Sequence, residues 1–298
     1  ALKRQASRES VAIDGLLDAS SADPLIPSRY ECLLAAFAGL GTYGGATIYA
    51  LYPVLIDAKI GRSTGWPEET LIFSRSAIFL AWAVGSVVLS LAADRYGRKP
   101  VVVGSVALHV CAAIGAACAR EAGGFFTARA IGGFALAGMS GMSVPLLLES
   151  VGPRAASRCM AALNIHTIGA TCALAALHAA CARLHLSWRF ETLALAGWVG
   201  AFGAAIAIYS YESPHFIAAA GDTDGALRVV RQIARANGVR LPDECGDEEI
   251  ELISPKLSPP PPLPPPSSPH STPPLPPSLL PPSSPPPSPA APQSPSIG

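Results

Sequence analysis

The sequence predicts an all-α integral membrane protein with six transmembrane helices and a disordered Pro-rich tail, on three observations. Half of the 298 residues are hydrophobic and only 14% are charged, where a soluble domain carries about a quarter charged residues. Six apolar runs are each long enough to cross a hydrocarbon core roughly 30 Å thick. The six-residue connector Asp94-Arg-Tyr-Gly-Arg-Lys99 joins two of these runs, and a reversal that short forces an antiparallel helix pair with its charges at one membrane face.

The six spans are read at 32–56, 77–93, 101–119, 125–148, 160–182 and 190–211, interrupted by charge only at Arg129 and Glu191. Helices buried in a soluble bundle would show polar stripes at i, i+3 and i+4, and runs such as Val101-Val-Val-Gly-Ser-Val-Ala-Leu show none. Short connectors make the spans run up and down. With the N-terminus inside, residues 1–31, 94–100, 149–159 and 212–253 share the cytoplasmic side and hold thirteen Lys and Arg residues. The other side holds six: Lys59, Arg62, Arg75, Arg120, Arg183 and Arg189. That asymmetry is the one expected of a cytoplasmic face, so both termini are expected there, with the plasma membrane as the expected location. Small residues at GxxxG-like spacing (Gly41 and Gly45, Ala137 and Gly141, Gly200 and Ala204) suit close helix packing.

Residues 1–30 read as a polar N-terminal tail without a cleavable signal, and 31–211 as the membrane domain. Within 212–242, residues 222–237 put Ala226, Leu227, Val229, Val230, Ile233 and Ala234 against Arg228, Arg231 and Arg235. This reads as an amphipathic helix on the membrane surface. Residues 243–298 are acidic and then Pro/Ser-rich, with 21 prolines in the last 45 residues. Such a composition cannot bury a core. It is either a platform for SH3- or WW-type modules or low-complexity sequence without a partner.

Zero net charge gives no sign of nucleic-acid binding. The seven cysteines lie mostly within apolar runs and lack CxxC spacing, so neither a disulfide framework nor a metal site is expected. No nucleophile–base pairing or phosphate loop points to an enzyme, and no cofactor is expected. The expected partners are the lipid bilayer and a small-molecule solute.

The loop Leu91-Ala-Ala-Asp-Arg-Tyr-Gly-Arg-Lys99 resembles the signature between helices two and three of the major facilitator superfamily, with Ser90 where glycine is usual. Arg129 and Glu149 resemble the Arg…Glu pattern of sugar and organic-ion porters, while Glu149-Ser-Val-Gly-Pro153, Trp188-Arg189, Glu212-Ser-Pro214 (its Glu-Ser-Pro phrase shared with sugar porters) and the 226–238 helix resemble the organic cation/anion or synaptic-vesicle-protein-like branch. His215 and Tyr211 depart from the last of these phrases, and the arginine usual about seven residues after Glu149 is shifted to Arg154 or Arg158. The resemblance implies the N-terminal six-helix half of a secondary carrier of small organic ions, truncated before a C-terminal half that it would need for transport. A sugar-porter half and a non-transporting six-helix adaptor with a partner-binding tail stay open as alternatives.

It also implies a cytoplasmic charge network that opens and closes during transport, built from Asp94, Arg95, Gly97, Arg98, Lys99, Glu149, Arg158 and Glu212. Gly97 suits a tight turn because it tolerates positive φ. Arg129, Asn164 and His166 are the candidates for a substrate or proton pathway. Arg129 either snorkels to the far interface or forms an ion pair, for which Glu191 is the candidate partner. His166 either lines the cavity or is a packed histidine.

Overall fold

The computed structural model describes residues 2–21 and 28–241, all within one compact unit spanning Ala1–Pro255. The acidic run and the proline-rich tail, residues 243–298, lie outside the described residues. Ten α-helices follow in order: α1 (Leu2–Ala19), α2 (Arg29–Phe37), α3 (Tyr43–Thr64), α4 (Glu68–Tyr96), α5 (Arg98–Cys118), α6 (Ala122–Glu149), α7 (Pro153–Arg183), α8 (Trp188–Tyr209), α9 (Pro214–Ala219) and α10 (Thr223–Ala236). A π-helical turn, Ala38–Thr42, joins α2 to α3 without a break, so Arg29–Thr64 forms one span. With α4 to α8 this gives six helices long and apolar enough to cross a membrane.

Local chemistry fixes the helix ends. Ser28 and Glu31 form a reciprocal capping box at the start of the first span. Gly65, at φ 74°, ends α3. Pro153 occupies the first turn of α7, where its missing N–H costs nothing, and Ser187 caps α8 through the Phe190 amide. The π turn loosens the carbonyls around it. Two are taken by neighbours: Trp198 Nε1 donates to the Leu40 oxygen at 2.8 Å, and Thr167 Oγ1 to the Gly39 oxygen at 3.4 Å. The π turn is thereby pinned between α7 and α8.

Close packing relies on missing side chains. A Cβ on Gly133 of α6 would lie 2.4 Å from the Ile78 carbonyl of α4, and one on Gly85 of α4 would lie 2.6 Å from the Phe134 carbonyl of α6. The two backbones touch, as expected where lipid supplies no hydrophobic force between helices. This crossing involves different glycines from those the GxxxG spacing suggested.

Three expectations need correction. The spans overrun their apolar cores: the first helix continues to Thr64 and the second begins at Glu68. Asp57, Lys59 and Arg75, read as loop residues, therefore lie within helices. A search for uncharged segments stops at each of them, yet paired charges can be carried into a helical bundle. Secondly, residues 2–19 of the expected polar tail form a helix whose Ile13, Leu16 and Leu17 are buried. Thirdly, α10 does not spend its apolar face on lipid. Ala226, Val230 and Ile233 pack with those α1 residues and with Tyr30, Leu34 and Val151 in one cluster. Sequence shows that a face is apolar, and only tertiary structure shows what covers it.

Candidate functional site

The connectors 97, 150–152 and 210–213 gather at one end of the bundle, called here the near end. The turns at 65–67, 119–121 and 184–187 lie at the far end.

At the near end, Gly97 has φ 102° and ψ 163°, a conformation open essentially to glycine alone. A Cβ there would also sit 2.4 Å from Glu212 Oε2. The turn thus leaves room for a carboxylate at the start of α5. Glu212 Oε1 accepts from the backbone amides of Arg98 (2.9 Å), Lys99 (3.3 Å) and Ser213 (3.0 Å), satisfying orphan donors where the helix dipole favours negative charge. Lys99 Nζ donates to the Ser210 carbonyl at 2.6 Å, fastening α5 to the end of α8.

Arg98 is the hub. Its Nε lies 3.2 Å from Glu149 Oε2 and its Nη1 3.5 Å from Asp94 Oδ1. Nη1 also donates to the Ala93 carbonyl, and the guanidinium stacks 5.4 Å from the Phe216 ring centroid. Asp94, Arg95, Arg98, Glu149, His215 and Phe216 line an open hollow of about 440 Å³. The Arg95 guanidinium also stands 5.6 Å from the Tyr96 ring centroid. Seven of the eight predicted network residues therefore meet here. Arg158 does not: it lines a separate hollow with Asp18, Glu31 and Arg154, because Val151-Gly-Pro153 turns the chain away before α7 begins. His215 Nε2 meets Asp14 Oδ1 at 3.2 Å. Burial raises the Asp14 carboxyl above its ordinary range, against the opposing pull of His215.

A second charged group lies towards the far end. Arg129 is 4% exposed, and its Nη2 lies 2.8 Å from Asp57 Oδ1 of α3. Its Nη1 donates to Ser74 Oγ of α4 at 2.8 Å, and the guanidinium stands 4.5 Å from the Phe125 ring centroid. Arg75 Nε approaches the other Asp57 oxygen at 3.1 Å. Asp57, Arg75 and Arg129 each sit seven residues in from the far end of their helices, about 10 Å deep at 1.5 Å per residue. The expected partner Glu191 is instead engaged elsewhere. It is fully buried, 2.7 Å from His178 Nδ1 of α7 and 3.5 Å from Lys59 Nζ of α3. The first helical turn of α8 holds its carboxylate beside α7, while Asp57, hidden in a presumed loop, takes Arg129. The spacing of Ile56 with Ile60 and of Leu71 with Ile78, all four buried, is the signal that could have extended both helices and exposed Asp57 as a partner.

Asn164 and His166 do not join Arg129. Asn164 is exposed and donates to the Met160 carbonyl at 2.8 Å. His166 Nδ1 lies 2.6 Å from the Ala162 carbonyl, so its own helix satisfies that nitrogen. The predicted pathway residues thus divide into a buried ion pair and two polar side chains on α7. No group of three or more His, Cys, Asp and Glu suited to a metal ion occurs among the described residues.

Comparison with known proteins agrees with this architecture. The family described as "Sugar (and other) transporter" matches residues 32–258. The arabinose-proton symporter of Bacillus subtilis (strain 168) is 25% identical over 223 residues, covering 68% of this chain and 45% of the symporter. The structure of XylE, a major facilitator superfamily proton:xylose symporter, bound to 6-bromo-6-deoxy-D-glucose superposes with a TM-score of 0.58 at 16% identity. It covers 76% of this chain and 52% of XylE. A double tryptophan mutant of XylE gives a TM-score of 0.58 at 17% identity, covering 70% and 50%. The chain spans about half the length of these relatives. They give no specific support to the organic-ion branch. The chain is a multi-pass membrane protein of the major facilitator superfamily and belongs to the sugar (and other) transporter family.

Proposed function

We propose that this chain forms the six-helix N-terminal half of a secondary carrier that moves a small neutral sugar with protons. The observation that carries the reading is Asp57, a carboxylate about 10 Å deep in the first span, tied to Arg129 of α6 and Arg75 of α4. This carboxylate ties three helices of the bundle together, and a rearrangement of its two arginine contacts would bias a conformational equilibrium, the step that coupling requires.

The near-end network supplies the complementary gate. Arg98, Glu149 and Asp94 are side by side but partly wet, with side chains 20%, 26% and 71% exposed, so their contacts are weak enough to part during a cycle. The thirteen-to-six distribution of Lys and Arg supports a cytoplasmic position for this end. Likeness to a sugar-proton symporter over 223 residues favours a sugar over an organic ion. The exposed Asn164 amide and the half-buried His166 imidazole offer the hydrogen-bonding groups a polyol needs. In this fold substrate lies between two six-helix halves, so a second half completes the carrier.

The test is proton-driven uptake of labelled arabinose into liposomes, by the chain alone and by the chain together with a second six-helix half supplied as a separate chain. The pair should take up arabinose, Asp57→Asn should abolish the proton dependence, and the chain alone should be inactive. Proton-driven uptake that survives Asp57→Asn, or uptake of tetraethylammonium in place of arabinose, would overturn the reading.

A further inference from the structure

We propose that α1 is a strap across the near end: docked, it holds the Arg98 network together, and its release lets that network part. This rests on the near-end gate of the transport reading, but on no particular substrate or coupling ion.

α1 touches both walls of the network. On one side, Asp14 Oδ1 lies 3.2 Å from His215 Nε2 of α9. Ile217 and Ala218 of α9 pack against the cluster that holds Ile13, Leu16 and Leu17, and the same short helix presents Phe216 to the Arg98 guanidinium at 5.4 Å. On the other side, Leu147 and Val151 belong to that cluster. They flank Glu149, whose Oε2 lies 3.2 Å from Arg98 Nε. Asp18 Oδ1 accepts from the Arg154 amide at 3.2 Å, and its Oδ2 lies 3.6 Å from Arg154 Nε. The helix dipole favours a carboxylate there, at the first turn of α7. A third tie, just past the end of α1, runs to Asn237, whose Nδ2 donates to the Ser20 carbonyl at 3.2 Å.

Gly152 shows that the docking is written into the chain. It adopts φ −67° and ψ 153°, a conformation open to any residue, so its own backbone does not call for glycine. What calls for it is α1. A Cβ at Gly152 would run into Asp18 Oδ1 and lie 2.7 Å from the Asp18 nitrogen and 2.8 Å from its Cα. The last two are main-chain atoms, so no side-chain rotation relieves the clash; α1 itself must move.

The strap is also built to let go. Its ionic ties are partly wet, with Asp14 35% and Arg154 68% exposed in their side chains, and such pairs are weak. Ile13, Leu16 and Leu17 then supply most of the hold. Three apolar side chains on one short helix can open as a local unit while the spans stay folded.

The experiment takes the full chain in nanodiscs and reads two places by mass spectrometry. Thiol labelling of Cys159, 2% exposed and in one cluster with Leu17, reports whether α1 is docked. Hydrogen exchange of the Arg98 and Lys99 amides, which donate to Glu212, reports whether the network is intact. Gly152→Ser keeps a favourable cap for α7 and adds the Cβ. It should speed both by about ten-fold, the effect of modest overpacking, and leave labelling of the far-end Cys181 unchanged. Leu16→Asp with Leu17→Asp, which alters α1 alone, should do the same. Faster Cys159 labelling with unchanged Arg98 and Lys99 exchange would reduce α1 to packing and overturn the strap. Unchanged Cys159 labelling in either variant would overturn it too, as would an equal rise at Cys181, the mark of a loosened bundle. Neither readout needs transport, so a failed uptake assay leaves this result standing.

Discussion

Replacing Asp57 with Asn should destabilise the membrane domain far more than replacing its partner Arg129 with Met. Asp57 carries one negative charge between two guanidiniums, at 2.8 Å from Arg129 and 3.1 Å from Arg75, and the Asp57 and Arg129 side chains are 7% and 5% exposed. At an effective dielectric constant of about 20 each pair gains about 4 kcal/mol, offset largely by desolvation. Removing the carboxylate leaves the buried Arg129 guanidinium without its counter-ion and facing the part-exposed Arg75. Breaking such an arrangement costs about 3–5 kcal/mol. Arg129→Met removes one bond to a charged partner, worth about 1.5–3 kcal/mol, and Asp57 keeps Arg75. Melting in nanodiscs, followed by thiol labelling of the buried Cys159 and Cys181, reads the difference. At about 2–4 °C per kcal/mol for a domain of this size, Asp57→Asn should lower the midpoint by about 6–20 °C. The double variant should recover part of that loss, because Arg75 is 31% exposed and can turn outward. A double variant that melts lower than either single one, or Asp57→Asn melting above Arg129→Met, would refute the reasoning.

Gly97→Ala should destabilise the near end by about 1–3 kcal/mol through its backbone conformation and its clash with Glu212, and faster hydrogen exchange of the Arg98 and Lys99 amides would report it. Glu212→Ala should cost about 0.5–2 kcal/mol as a lost cap, with faster exchange at the same two amides and little change at the far end. The raised Asp14 carboxyl favours the folded state fully below its unfolded pKa and loses that contribution as pH rises through its folded pKa. The midpoint of Asp14→Asn minus wild type should therefore be more positive at pH 7 than at about pH 4, as a pH series of melts would show. Cysteines at Arg98 and Arg62 should label from opposite sides of a sealed vesicle, and Arg98→Cys and Arg154→Cys from the same side.

Most of the near end was legible because its chemistry is local. The glycine, the two basic residues after it and Asp94 lie within six positions, and Glu149 and Glu212 close the spans that bring them there. The far-end partnership was less legible. Asp57 and Arg129 are separated by 72 positions, and their attraction becomes visible only when α3 and α6 are known to continue past their apolar cores. The same filter that found the spans hid Asp57, since it read charge as the end of a helix. Glu191 was visible, and physically reasonable as a partner for Arg129, but helix phase placed it against His178 instead. The docked α1 left a weaker trace: Ile13, Leu16 and Leu17 have helical spacing, but they sit in a stretch read as polar.

The two charged groups differ in how far water reaches them. The near-end side chains are one-fifth to more than two-thirds exposed, and exposed pairs contribute about 0–1 kcal/mol each. Such a contact can break without a large barrier. Asp57 and Arg129 are almost dry, and breaking a dry pair without neutralising it would cost several kcal/mol. Arg129 is held in addition by Ser74 and the Phe125 ring, so this pair stays closed under changes that part the near-end contacts. The asymmetry therefore assigns different work to the two ends. The near end holds its helices weakly, and the far end ties α3, α4 and α6 together through charges that are almost dry at Asp57 and Arg129.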